Sequence, residues 1–522
     1  MATLSSPILP TVAALVAVVL LARRQKWANR LRGCSLPPGP RGFPIIGNLL
    51  DFPPNKAWVT FREWSQTYGN IMFIQVMDTP ILLVSSPEIC HDLMEKRSAI
   101  YSDKLAFPID ELTGWDFGLP VVPYGQRWRG IRAYFHQYFN NSVTPKYHEK
   151  QTAQVHAFLR RCLEHSGEQL DPLCVRLTLA AVVLDIVYGQ EVRSMDDEYI
   201  ALTVASIEAF NETKTLGKFW VDFMPFLKYL PTWLPGAAAV KYGAQWRPVT
   251  EEMLDRPFRA IQSGENQNPS MLQDILMNLK EEQDSEHRTI QEQYAKHATG
   301  VAYAGKYPST LLWAAADTTY SLLQTFFCTM AMSPQIRKKA QEELELVVGP
   351  ERLPTFADQE DLHYLHAIFL ECMRWLPVTP LGIAHRLITD DYYNGYFIPK
   401  GTVIMPCVWQ MLRDPNSYPD PERFNPDRFM KDGVINPDVP DPSDLAFGFG
   451  RRHFAKDNAF LTMATALHVF DILPSLNEHG NELDPTPQMT TNGGLCYPDR
   501  LHYMLKPRSE AAEMLIRATA TA

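Results

Sequence analysis

Asp444-Leu-Ala-Phe-Gly-Phe-Gly-Arg-Arg-His-Phe-Ala-Lys-Asp-Asn-Ala-Phe460 packs two aromatics, two glycines and two arginines into the six residues Phe447-Gly-Phe-Gly-Arg-Arg452. Glycine permits positive φ and lets backbone approach a flat ligand closely. The arginines can grip anionic groups at that ligand's edge. Asp457 to Leu473 then reads as a long, mostly apolar helix. Alone, the six residues describe a surface turn before a core helix. Motifs elsewhere in the chain change that reading.

Trp128 and Arg132 stand four apart in Tyr124-Gly-Gln-Arg-Trp-Arg-Gly-Ile-Arg132 and share one helical face. Glu371 and Arg374 in Glu371-Cys-Met-Arg374 also share a face, on a helix from Leu365 to Trp375 that Pro377 stops. About fifty residues on comes Pro421-Glu-Arg-Phe424. Ala314-Ala-Ala-Asp-Thr318 sets an acid beside an alcohol. Leu36-Pro-Pro-Gly-Pro-Arg-Gly-Phe-Pro44 is a stiff linker that no helix can cross.

In this order the motifs resemble those of the cytochrome P-450 monooxygenases, over nearly the whole chain to Pro507. The resemblance implies a mainly α fold with a small β-rich lobe, preceded here by one N-terminal transmembrane helix. It implies a haem cofactor whose iron is held by a cysteine thiolate, which promotes O–O cleavage. Trp128, Arg132, Arg386 (with His385 the weaker choice), Phe447 and Arg452 would hold the haem and its propionates. Asp317 and Thr318 would handle protons and oxygen. Glu371, Arg374 and Arg423 would form a structural knot behind the haem. Residues 100 to 122 would cover a hydrophobic small-molecule substrate, with 379 to 384 and the turn Met489 to Cys496 also lining the pocket. Electrons would come from NADPH through a flavoprotein reductase, as in fungal microsomal members that oxidise secondary metabolites or hydrophobic aromatics.

The sequence departs from that family twice. The haem loop has the form Phe-x-x-Gly-x-Arg-x-Cys-x-Gly, yet read without gaps the cysteine slot falls on Phe454 and the last glycine slot on Lys456. Inserting five residues such as Ile-Cys-Pro-Gly-Arg after Arg452 brings His453 onward into line, so no metal ligand is assigned in this chain. Excising 306 to 315, where Pro308 would break a helix at a cost of ~3 kcal/mol, joins Ala304-Gly305 to Ala316-Asp-Thr-Thr319. One deletion and one insertion, both at haem-contacting motifs, suggest altered exon boundaries. Gly305-Lys-Tyr can be encoded around a donor-like GTAAGT. A catalytically inactive splice product or diverged paralogue is the alternative to a working enzyme.

The remaining features bound the setting. The 522 residues are 46% hydrophobic and 21% charged, as in a globular protein with a large core. The net charge of −10 argues against nucleic acid. Eight cysteines lack CxxC or zinc spacing and read as free thiols in a reducing compartment. Leu4 to Ala22 carries no charge and is followed by Arg23, Arg24, Lys26, Arg30 and Arg32. That pattern predicts an endoplasmic reticulum signal anchor with the body cytoplasmic, leaving the sequons at Asn140 and Asn211 unused. The expected divisions are an anchor at 1–33, a hinge at 34–50, the haem domain at 51–510 and a tail at 511–522. Residues 71–76 and 81–84 predict a hairpin, Ser86-Pro87 and Ser333-Pro334 predict helix starts, and Arg247 to Glu286 reads as exposed connections.

Overall fold

The computed structural model describes residues 25, 30–31, 33–53, 55–140, 142–192, 194, 196–214, 218–304, 319–446, 453–492 and 495–520. The anchor segment Leu4 to Ala22, the excisable stretch 306 to 315, Asp317, Thr318, Phe447 and Arg452 lie outside them. No helix among the described residues is long and apolar enough to cross a membrane.

Helix α1 (Ala57–Tyr68) leads into strands β1 (Ile71–Val76) and β2 (Thr79–Val84), which pair as the expected hairpin with Ile71 opposite Val84. Helix α2 (Pro87–His91) starts at Ser86, whose hydroxyl accepts from Ile89 N at 3.2 Å. Strand β3 (Asp103–Lys104) and helix α3 (Pro108–Leu112) follow. Then come helices α4 (Gln126–Phe139), α5 (His148–Glu164), α6 (Pro172–Tyr188), α7 (Glu198–Thr213), α8 (Ala238–Gln262), α9 (Met271–Leu279) and α10 (Ser285–Ala304). The second half holds α11 (Thr319–Met332), α12 (Pro334–Val347) and α13 (His363–Trp375). Strands β4 (His385–Arg386) and β5 (Val403–Pro406) complete one sheet in the order β1-β2-β5-β4-β3. Helices α14 (Ser443–Ala446) and α15 (His453–Val469), strands β6 (Phe470–Pro474), β7 (Gln488–Asn492), β8 (Leu495–Asp499) and β9 (Tyr503–Pro507), and helix α16 (Glu510–Ala518) end the chain.

Two large apolar clusters account for most of this order. One joins α11, α13 and α15 to the hairpin, and every residue of α11 from Thr319 to Ala331 is buried within or beside it. The other joins α4, α6, α8, α9 and α10. Where α4 crosses α10, a Cβ on Gly130 would lie 2.3 Å from the Tyr294 ring, so only glycine allows that approach.

Three local expectations need revision. Arg247 to Gln262 is not a connection but the second half of α8, which runs through Pro248 and Pro257. Burying Met253, Leu254 and Ile261, at about 1.5–3 kcal/mol each, offsets what the prolines cost the helix. The helix after the arginine pair stops at Val469, because Phe470 to Pro474 pairs with Pro507 to Tyr503 as β6 and β9. The segment taken as a tail folds as α16, capped by Ser509 and holding Ile516 fully buried.

Candidate cofactor and substrate site

The Glu371–Arg374 pair sits on α13, fully buried, with Arg374 Nε and Nη2 donating to the two carboxylate oxygens at 2.7 and 2.9 Å. Removing two charges from water this completely is tolerated only when every remaining donor is used. Arg374 Nη1 donates to the carbonyls of Leu412 and Pro421 at 3.1 and 2.8 Å. Asn425 N donates to Glu371 at 2.7 Å.

A second guanidinium reaches Glu371, and it belongs to Arg428, with Nε 3.2 Å from the carboxylate. Arg423 was the expected third member, but its side chain is exposed. It contributes its carbonyl oxygen, which accepts from Arg374 and Arg428 at 3.3 and 3.2 Å. The sequence repeats a pattern here, Pro421-Glu-Arg-Phe424 and then Pro426-Asp-Arg-Phe429. Both phenylalanines are buried, but only the second arginine lies under α13. The knot thereby ties the 412–429 loop to the helix on which α14 and α15 pack.

Trp128 and Arg132 do share a face of α4. The guanidinium lies over the indole, 4.9 Å from its centroid, and the indole N–H donates to Leu119 O at 3.2 Å. The β3–β4 ladder brings up further cations in alternation. Asp103 pairs with Arg386 and Lys104 with His385, so the two pairs point to opposite faces. Arg386 is engaged by Asp103, its Nε and Nη2 at 2.8 and 2.7 Å from one carboxylate oxygen. Lys104 and His385 share the face beside Arg132, and Arg386 lies on the opposite one.

Lys104 is 3% exposed, and burial together with the Arg132 charge lowers its ammonium to about 7. Burial and Lys104 push His385 well below its ordinary value, while its Nδ1–H donates to Tyr101 O at 3.0 Å. Among the described residues no carboxylate forms an ion pair with Lys104. The sequence reading missed Lys104. The available signal was its place next to an aspartate in a two-residue strand, which carries no meaning until β4 pairs with it.

The segment expected to cover a substrate buries Trp115, Phe117, Leu119 and Val122 against α4, α8 and α10. At the other end of the chain β7 and β8 form a hairpin, and Ser321 Oγ on α11 donates to Cys496 O at 2.8 Å. The Cys496 thiol is buried and pushed up by burial, as are those of Cys90, Cys162, Cys328, Cys372 and Cys407.

The sequence profile of the cytochrome P450 family matches residues 37–497. The chain belongs to the cytochrome P450 family. Among its relatives, cytochrome P450 monooxygenase COX2 of Coprinopsis cinerea is 39% identical over 94% of this chain and 93% of that protein. Cytochrome P450 monooxygenase ple1 of Rhodocybe pseudopiperita is 36% identical over 92% and 91%. Cytochrome P450 monooxygenase 208 of Postia placenta is 35% identical over 98% of each. The protein is thus a P450 monooxygenase by family, and haem iron is the cofactor that membership implies.

One end of that cofactor fits the residues present. Haem carries two carboxylates, and buried Lys104 lies with His385 and Arg132 in a group of bases that could face them. The iron end does not fit, because no cysteine occurs between Cys407 and Cys496. A pH dependence follows from the first point. Burial and Arg132 leave Lys104 neutral above about pH 7, and a haem carboxylate beside it would restore its proton. Binding then takes up a proton between about 7 and the ordinary lysine value near 10. Haem affinity, read by tryptophan quenching, is expected to fall by up to about tenfold per pH unit over that window, and Lys104→Met should flatten the profile.

Proposed function

We propose that the intact product of this gene is a haem-thiolate monooxygenase that inserts one oxygen atom into a hydrophobic, often aromatic, small molecule of fungal secondary metabolism, using NADPH-derived electrons delivered by a flavoprotein reductase. The single observation that carries this reading is the family match over residues 37–497, and the basic group of Lys104, Arg132 and His385 beside the Trp128 helix is consistent with it. When bound, the haem supplies the oxidising chemistry. The chain's own residues orient it by its carboxylates and keep water out with the apolar 115–122 segment. Asp317 and Thr318 remain the proposed proton and oxygen residues.

A second reading is favoured by one observation, the absence of any cysteine from 408 to 495. In it, the 522-residue chain is an inactive splice product of that gene. Sequencing the transcript across codons 300 to 320 and 445 to 460 separates the two. Ala-Gly-Ala-Asp-Thr-Thr at the first junction and a cysteine after Arg452 at the second support the enzyme. A transcript identical to this chain at both places supports the inactive product.

We further propose that the body sits on the cytoplasmic face of the endoplasmic reticulum membrane, held by Leu4 to Ala22. Phe226, Tyr229 and Trp233 are 62%, 77% and 77% exposed, and Leu50 is 72% exposed. Leu49 and Phe223, neighbours of these two sets, pack on the same apolar cluster of α1, β1 and β2. Such aromatic surface suits a lipid interface. With residues 1–33 removed, binding to phosphatidylcholine vesicles is expected to weaken about tenfold when Phe226 and Trp233 are both changed to serine. Co-sedimentation reads this, and unchanged binding would count against the orientation.

A further inference from the structure

The strap of residues 30–51, which follows the expected anchor, is bonded to the body at several points. At Arg30 it meets the hairpin of strands Asp391–Tyr393 and Tyr396–Ile398. Arg30 Nη2 and Nε donate to the two carboxylate oxygens of Asp390 at 2.5 and 3.3 Å. The same guanidinium lies 5.6 Å from the Phe397 ring centroid. The Tyr392 hydroxyl donates to Arg30 O at 3.2 Å. Phe397 N donates to Ser35 O at 2.8 Å, and Ser35 bridges Tyr396. A forked ion pair, a cation over a ring and two bonds to backbone carbonyls thus seat residues 30–35 on the hairpin.

The hairpin is itself fixed to the core. Asp391 accepts from Arg97 Nη1 at 2.7 Å and from the Tyr101 hydroxyl at 2.8 Å. The Tyr393 hydroxyl donates to Asp92 at 2.9 Å, and Phe397 and Ile398 are fully buried. Beyond Ser35 the strap continues along β1. Phe73 N donates to Pro38 O at 2.8 Å, and a Cβ on Gly39 would lie 2.0 Å from Phe73 O, so only glycine passes there. Asn48, 2% exposed, accepts from Gln75 N at 3.1 Å and donates to Pro40 O at 3.2 Å. Prolines stiffen what lies between these bonds. The strap leaves Phe43, Ile45 and Leu50 exposed.

We propose that the hairpin Asp391–Ile398, with Asp390 at its foot, is a docking site for residues 30–35, and that the dock makes the strap a rigid arm which fixes the attitude of the body on its membrane. The occupant is the chain's own basic flank, seated by Arg30 on Asp390. A tether free to swivel would let the body meet lipid at any tilt. A seated strap presents Leu50 and, through the neighbours Leu49 and Phe223 that share one apolar cluster, the aromatic surface of Phe226, Tyr229 and Trp233. The effect on attitude rests on Leu4 to Ala22 being a membrane anchor. The dock itself does not.

The full-length chain in phosphatidylcholine bilayer discs tests both parts. The Phe397 amide reports the dock, because its acceptor is Ser35 O. Arg30→Ala leaves the hairpin's contacts with the core intact and should lower hydrogen-exchange protection of that amide about fivefold. Asp390→Ala should act in the same direction, with amides of β1 and β2 unchanged in both variants. Attitude is read from a nitroxide on Tyr229→Cys, with the two partly exposed thiols removed by Cys34→Ser and Cys174→Ser. With Arg30 present, oxygen dissolved in lipid should relax that nitroxide more than an aqueous nickel chelate does. Arg30→Ala should shift the balance toward the chelate. Unchanged Phe397 protection in Arg30→Ala would overturn the dock. Lowered protection with an unshifted balance would overturn the effect on attitude. A chain that keeps Phe397 protected but does not co-elute with the discs would refute the anchor, and with it the effect on attitude, while supporting the dock.

Discussion

Glu371→Ala is expected to cost about 3–5 kcal/mol of folding free energy, because it leaves two guanidiniums, those of Arg374 and Arg428, buried without their counter-ion. Arg428→Ala should also be strongly destabilising, since it opens the contacts of one guanidinium with Glu371 and with the carbonyls of Pro419, Asp420 and Arg423. Arg423→Ala should stay within about 0.5 kcal/mol, the usual range for an exposed side chain. Denaturant melts followed by far-ultraviolet circular dichroism rank the three. If Arg423→Ala proves as damaging as Arg428→Ala, the assignment of the knot to Arg428 is wrong. The loss in Glu371→Ala should persist at high salt, as a dry pair is little screened.

The second large effect is spectroscopic. Reduced under carbon monoxide, the 522-residue chain is expected to show no thiolate-type Soret band. The argument is one of location. Cys328 and Cys372 face each other in the core beside Thr329, whose hydroxyl lies 3.9 Å from the Cys372 sulfur. Cys90 and Cys407 are neighbours under the hairpin sheet, and Cys162 and Cys174 adjoin Arg161. Cys496 is built into the β7–β8 hairpin, its backbone bonded to Val378 and Ser321. Each of these seven is held by the element it belongs to, and Cys34 lies in the N-terminal hinge, bonded through its backbone to Leu31. Inserting Ile-Cys-Pro-Gly-Arg after Arg452 and deleting 306 to 315 should restore the band. A thiolate-type band from the unaltered chain would refute the expectation, and a repaired chain without one would weigh against altered exon boundaries.

Much of the architecture could be read along the chain wherever the deciding interactions are local. The β1–β2 hairpin follows from two β-rich runs around a tight turn. Pro334 opens α12 as expected, although the Ser333 hydroxyl makes no capping bond. Glu371 and Arg374 lie one helical turn apart, so their pairing was implicit in their spacing. Errors arose where an interaction spans the fold. Two Pro-x-Arg-Phe copies five residues apart are equivalent as sequence, and only the approach of α13 selects Arg428. Likewise Arg386 and His385 are adjacent, and the strand register on β3 decides which of them shares a face with Lys104 and Arg132.

By itself the sequence determined the family, the β1–β2 hairpin, the helix starts at Pro87 and Pro334, the spacing of Glu371 and Arg374 and the lack of a cysteine from 408 to 495, since motif spacing and residue identity are properties of the chain. Tertiary structure alone decided that α8 continues through two prolines, that Arg428 completes the knot, that Lys104 is a buried base, and that Asp110 and Lys214 form a buried ion pair. Each of these depends on desolvation. Charges about a hundred residues apart act on one another strongly only once folding has removed the water between them.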